Sequence, residues 1–92
     1  MTKTSVRRRV TPLNAFYESL SRIDGSQANV QAFAKLMERV ASDPEKGLPV
    51  RDLDALAMKT HGFGPFQPLR VIYRMDEDRI YLLSVGIYGY DD

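Results

Sequence analysis

The residues best equipped for chemistry in this chain are its arginines and tyrosines. Lys3, Arg7, Arg8 and Arg9 place four cations within seven residues. Such a cluster can grip phosphates, contacts that set position on a nucleic acid without reading its sequence. On a strand, alternation sends Arg7 and Arg9 to one face and Arg8 to the other, so the three do not serve one ligand. Farther along, Arg70 and Arg74 share the strand face opposite Tyr73. A guanidinium stays charged, and its fork fits two phosphate oxygens at once. Tyr88 and Tyr90 offer rings that stack on bases and hydroxyls that can give a proton. His61, the single imidazole, sits in a Gly-Pro loop with Phe63 and Phe66, rings that anchor the loop or stack on bases. Glu45, Asp52 and Asp54 read as turn and helix-cap residues.

Other chemistries are excluded by what the chain lacks. It has no cysteine, which removes disulfides, thiolate zinc sites and cysteine nucleophiles. One histidine cannot build a multi-histidine metal centre, and no metal or cofactor is expected. Gly62, Gly64, Pro65 and Pro68 lack the spacing and lysine of a phosphate-binding loop. The net charge of +1 divides into +3 over residues 1–46 and −2 over residues 47–92. That is too even for a strongly cationic nucleic-acid binder, so any such contact must come from a local patch. No apolar run approaches the ~20 residues of a membrane span. The basic Met1–Arg9 stretch is followed by no apolar segment, so a cytoplasmic protein without a secretory signal is expected.

Ninety-two residues, 43% hydrophobic and 27% charged, suit a single domain over residues 1–92. No repeat is visible. Residues 4–10 read as a short strand. Thr11-Pro12 reads as a helix start, with Thr capping and Pro at the first helical position. Leu13, Phe16, Tyr17 and Leu20 follow as one apolar stripe, ending near Asp24-Gly25. Ser26 can cap a second helix whose stripe is Val30, Phe33, Ala34, Met37, Val40 and Ala41, with Gln31, Lys35, Glu38 and Arg39 in water. Ser42-Asp43-Pro44 ends it. These two helices make an antiparallel hairpin. Residues 48–60 permit either a short helix capped by Asp52 or an irregular strand. Residues 69–75 and 79–85, rich in β-formers and joined by Asp76-Glu77-Asp78, predict a hairpin buried against the helices. The fold class is α+β, two layers.

The hairpin carries a resemblance. Arg70-Val71-Ile72-Tyr73, the acidic turn Asp76-Glu77-Asp78 and an apolar strand ending in Val85-Gly86 are similar to the signature hairpin of the RelE/ParE toxin superfamily. The helical pair and the segment Asp43-Pro44-Glu45-Lys46-Gly47 fit the same layout. The likeness is specific over about residues 68–86, and as an architecture it covers most of the chain. It implies a RelE-like fold, with an N-terminal strand and a helical hairpin packed on an antiparallel sheet of about three to four strands.

The resemblance also implies a function: the toxin of a type II toxin–antitoxin pair, neutralised by a cognate antitoxin in a hetero-oligomer. RelE-like members cut mRNA on the ribosome without a metal, through attack of a ribose 2′-oxygen on the neighbouring phosphate. On that reading Arg70 matches the functional arginine at the start of the strand. Tyr90 and His61 are the remaining catalytic candidates, and Arg74, Tyr88, Arg7, Arg8 and Arg9 would bind RNA. The tail departs from the pattern. Laid on the Arg-Tyr-His-Tyr ending of YoeB-like members, Ile87 replaces the arginine and Gly89 the histidine, and only Tyr88 and Tyr90 survive. Two alternatives therefore stay open: a ParE-like or divergent member that inhibits DNA gyrase without cutting RNA, and a non-toxic interaction module on the same fold.

Overall fold

The computed structural model of the chain describes residues 9–23, 30–60 and 68–87. In chain order these form β1 (Arg9–Pro12), α1 (Asn14–Ser21), α2 (Val30–Ser42), a 3-10 turn (Pro44–Lys46), β2 (Leu48–Pro49), β3 (Leu56–Lys59), β4 (Leu69–Met75) and β5 (Arg79–Ile87). The five strands make one sheet in the order β1-β5-β4-β3-β2. β1 runs parallel to β5, and every other neighbour is antiparallel. The sheet is thus wider than the three to four strands expected and mixed rather than purely antiparallel, within the same α+β class.

The β4–β5 hairpin forms as its sequence suggests. The Asp76 carboxylate accepts from the N–H groups of Asp78 (2.9 Å) and Arg79 (2.8 Å), closing the turn with its own side chain. On β4, Leu69, Val71 and Tyr73 are buried while Arg70 and Arg74 are exposed, the alternation of a half-buried strand. β5 does not alternate throughout. Ile72 pairs with Ser84 but Tyr73 pairs with Leu82, which leaves Leu83 as an extra residue. This bulge switches the inward set from Ile80 and Leu82 to Val85.

Several expectations at the N-terminal side shift. The described strand begins at Arg9 and extends to Pro12, so Thr11 and Pro12 belong to β1 and not to a helix start. Pairing with β5 decides this: Thr11 stands opposite Tyr81 and Pro12 opposite Leu82, and the Leu13 N–H donates to the Leu82 carbonyl at 3.1 Å. A proline is tolerated there because β1 is an edge strand; Pro49 sits on the opposite edge strand, β2. α1 begins two residues later than expected, at Asn14, with no side-chain cap. Its buried residue is Phe16, joined by Leu20 and Ile23, whereas Leu13 and Tyr17 are exposed. Ser19 faces the sheet too: its hydroxyl donates to the Phe16 carbonyl (2.8 Å) and accepts from the Val85 N–H (2.9 Å), fastening α1 to β5.

On α2 the deepest residue is Leu36, fully buried, flanked by Phe33, Met37 and Val40. That i, i+3, i+4, i+7 stripe is centred a residue or two away from the expected one, and Ala34 lies exposed. Gln31, Lys35, Glu38 and Arg39 face water as expected, and the helix ends at Ser42 before Pro44. Asp24-Gly25, Ser26 and the link between the helices lie outside the described residues. Residues 48–60 resolve into strands β2 and β3 around a turn closed by Val50 N–H to Ala55 O (3.0 Å) and Leu53 N–H to Val50 O (3.1 Å). Asp52 caps no helix; it occupies the left-handed region, φ 65°, inside this turn. Helix side chains and the inward strand residues share one core.

Candidate functional site

The outer face of the sheet gathers cations by register. β3 and β4 pair so that Lys59 stands directly opposite Arg70, both exposed. On the other side of Arg70 is Gly86 of β5, where a Cβ would meet open space. β2 is only two residues long and pairs with Leu56 and Ala57 alone, so the Met58–Lys59 end of β3 is left uncovered. A hollow of about 550 Å³ opens at that edge.

Five basic residues from different elements line it: Arg39 from the last turn of α2, Lys46 from the 3-10 turn, Arg51 from the turn after β2, Lys59 from β3 and Arg70 from β4. Among the described residues no carboxylate lines it, and Leu48, Pro49, Val50, Ala57 and Met58 supply the apolar walls. A hollow ringed by positive charge raises the local concentration of anions, and phosphate oxygens suit its donors.

Tyr73 ties the 3-10 turn to β4. Its ring is fully buried and its hydroxyl donates to the Pro44 carbonyl at 2.6 Å. Gly47 makes the approach possible: a Cβ there would fall 2.9 Å from the ring carbon Cζ and would overlap the hydroxyl. Burial pushes the Tyr73 phenol up to about 12, with a small further rise from Glu45 and opposing contributions from the Gly47 backbone and from Arg39.

The expected site residues divide. Arg70 lies in the hollow. Arg74 shares its strand face but not its hollow: its Nε donates to the Asp54 carbonyl at 3.0 Å, and it lines a separate depression of about 380 Å³ with Leu53, Asp54 and Met75. Arg70 therefore converges with Arg39 and Arg51 rather than with Arg74, because four residues along a strand span ~13 Å. Arg9 is exposed on edge strand β1, opposite Arg79 and three strands away from Lys59. Glu45 is exposed on the 3-10 turn beside Lys46. His61, Phe63, Phe66, Tyr88, Tyr90, Arg7 and Arg8 lie outside the described residues. Four cations of the hollow, Arg39, Lys46, Arg51 and Lys59, were not candidates from sequence. The β3–β4 register places Lys59, and the packing of α2 and two turns places Arg39, Lys46 and Arg51; a pattern along the chain carries neither. Among the described residues no three His, Cys, Asp or Glu side chains gather to hold a metal, and no helix is long and apolar enough to cross a membrane.

No protein-family model matches the sequence, and no curated protein does. A solved structure matches in three dimensions: a chain in the crystal structure of the toxin–antitoxin complex RelBE2 from Mycobacterium tuberculosis superposes with a TM-score of 0.67, covering 97% of this chain and 100% of that one. The fold is RelE-like. The identity between the two chains is 16%, so the likeness lies in the backbone. Within this RelE-like fold the hairpin that carries the sequence resemblance is β4–β5, and Arg70, the second residue of β4, lines the basic hollow.

Proposed function

We propose that this chain is the toxin of a type II toxin–antitoxin pair, a metal-free endonuclease that cuts mRNA on the ribosome in the cytoplasm and is held inactive by a cognate antitoxin. The observation that carries the reading is the Lys59–Arg70 pair at the mouth of a hollow lined by five cations, set in a fold shared with a chain of a toxin–antitoxin complex.

The chemistry follows from the residues. The 2′-oxygen of a ribose attacks the adjacent phosphorus, the bond from phosphorus to the 5′-oxygen breaks, and a cyclic phosphate remains on the upstream fragment. Negative charge grows on the phosphate oxygens during the step. Arg70 stabilises that charge with its fork, and the neighbouring ammonium groups add to it. The 2′-hydroxyl proton must be accepted, and the leaving 5′-oxygen must be protonated. Tyr90 and His61 are proposed for these transfers. Lys46 and Lys59, each a three-proton donor, are the nearby alternatives for the second. Arg74, Tyr88, Arg7, Arg8 and Arg9 are proposed to hold flanking RNA.

The test is in vitro translation with purified ribosomes and mRNA, read by primer extension. Cleavage that needs the ribosome and vanishes in Arg70→Ala supports the reading. Growth arrest with intact mRNA and inhibited gyrase overturns it in favour of the ParE-like alternative.

A further inference from the structure

We propose that Tyr73 is a positioning residue of the basic hollow: its hydroxyl, through Pro44, sets where Lys46 stands relative to Arg39 and Arg70. The inference rests on the RNA-cleaving reading of the hollow and goes beyond it, since Tyr73 lies on the opposite face of β4 and lines no part of the hollow.

The connection is traceable bond by bond. Tyr73 Oη donates to Pro44 O at 2.6 Å, and the same oxygen accepts from the Gly47 N–H at 3.2 Å. Lys46 lies between these two residues, and its own N–H donates to Asp43 O at 3.0 Å. The Asp43 N–H in turn donates to Arg39 O at 2.8 Å. A short run of backbone bonds thus joins the end of α2 to the 3-10 turn, and one phenol ties that turn to β4. Arg70 is three residues before Tyr73 on the same strand. Cations on the helix side of the sheet are thereby indexed against a cation on its outer side, around the uncovered end of β3.

Packing alone does not require the hydroxyl. A phenylalanine would fill nearly the same volume, and Pro44 O would keep its bond from Gly47. What the hydroxyl adds is a fixed height for the turn. Long, flexible lysines gain most from a fixed root, because each phosphate contact must offset the entropy of ordering the side chain.

The experiment measures binding of a short single-stranded oligoribonucleotide, made uncleavable by 2′-O-methylation, across a salt series. Five proteins are compared: wild type, Tyr73→Phe, Lys46→Ala, their double variant and Gly47→Ala, each with its far-ultraviolet circular dichroism. Tyr73→Phe is expected to bind several-fold more weakly and to lower the slope of log K against log salt by about 0.7, one phosphate contact on a single strand. In the Lys46→Ala background the same change is expected to cost nothing more. Gly47→Ala, which forces the turn off the ring with the hydroxyl intact, is expected to show the same loss of slope, and it carries the test if Tyr73→Phe does not fold. An unchanged slope in the folded variants, or an equal loss from Tyr73→Phe with and without Lys46, overturns the inference and leaves the RNA reading standing. Failure of the wild type to bind the oligonucleotide overturns both.

Discussion

Lys59 and Arg70 face each other across β3 and β4, two cations in directly opposed positions of one ladder. Like charges so placed repel and weaken a sheet slightly. Both line the basic hollow, and under the proposed function a phosphate there would take charge-assisted hydrogen bonds from each.

Replacing one member of this pair should separate activity from stability. Arg70→Gln is expected to lower ribosome-dependent mRNA cleavage by about 100-fold, the scale of losing one charge-stabilising donor. Unfolding in urea should shift by less than ~0.5 kcal/mol, as for an exposed site. A variant that cleaves normally, or that loses activity only because it unfolds, removes Arg70 from the mechanism.

Salt should control binding steeply. The five cations of the hollow contribute up to about −3.5 to the slope of log K against log salt on a single strand. Fluorescence anisotropy between low and physiological salt reads this directly. A slope near zero means that the hollow does not hold phosphates.

Ser19 should matter for stability without touching the hollow. Its hydroxyl accepts from the Val85 N–H at 2.9 Å just beyond the bulge. Ser19→Ala leaves that N–H without its acceptor and is expected to cost about 1–3 kcal/mol. The urea midpoint should fall at constant m-value. Unchanged stability shows that the bond is dispensable.

Tyr73 should make the fold sensitive to alkali. Its phenol is raised to about 12 in the folded chain and has the ordinary value near 10 when unfolded. The folded state therefore holds the proton more tightly. This contribution is complete below pH 10 and is lost progressively as pH rises from about 10 to 12, on the order of 2–3 kcal/mol in all. Urea unfolding of the wild type and Tyr73→Phe between pH 8 and pH 12 isolates it: the wild type should lose this extra stability and the variant should not. Parallel curves contradict the assignment.

Much of the fold was legible because local chemistry and tertiary structure agreed there. The β4–β5 hairpin combined alternating β-formers with an aspartate that closes its own turn, and Pro44 halted α2 where it had to. Thr11-Pro12 misled for the opposite reason. The dipeptide is a good local helix start, but pairing with Tyr81 and Leu82 drew it into a parallel strand. Such non-local partners leave no mark within the dipeptide. The bulge at Leu83 was hidden likewise, since it is a mismatch between two strands rather than a property of either.

The site shows the same division. The sequence by itself singled out Arg70, from its place at the start of a recognisable strand, and excluded thiol and multi-histidine chemistry through composition. Only the tertiary structure decided that Arg70 keeps company with Lys59, Lys46, Arg39 and Arg51 instead of Arg74. Spacing along a chain reports which face a side chain takes. Which charges meet in space depends on strand register, on where a two-residue strand stops, and on a buried hydroxyl 29 residues from its acceptor.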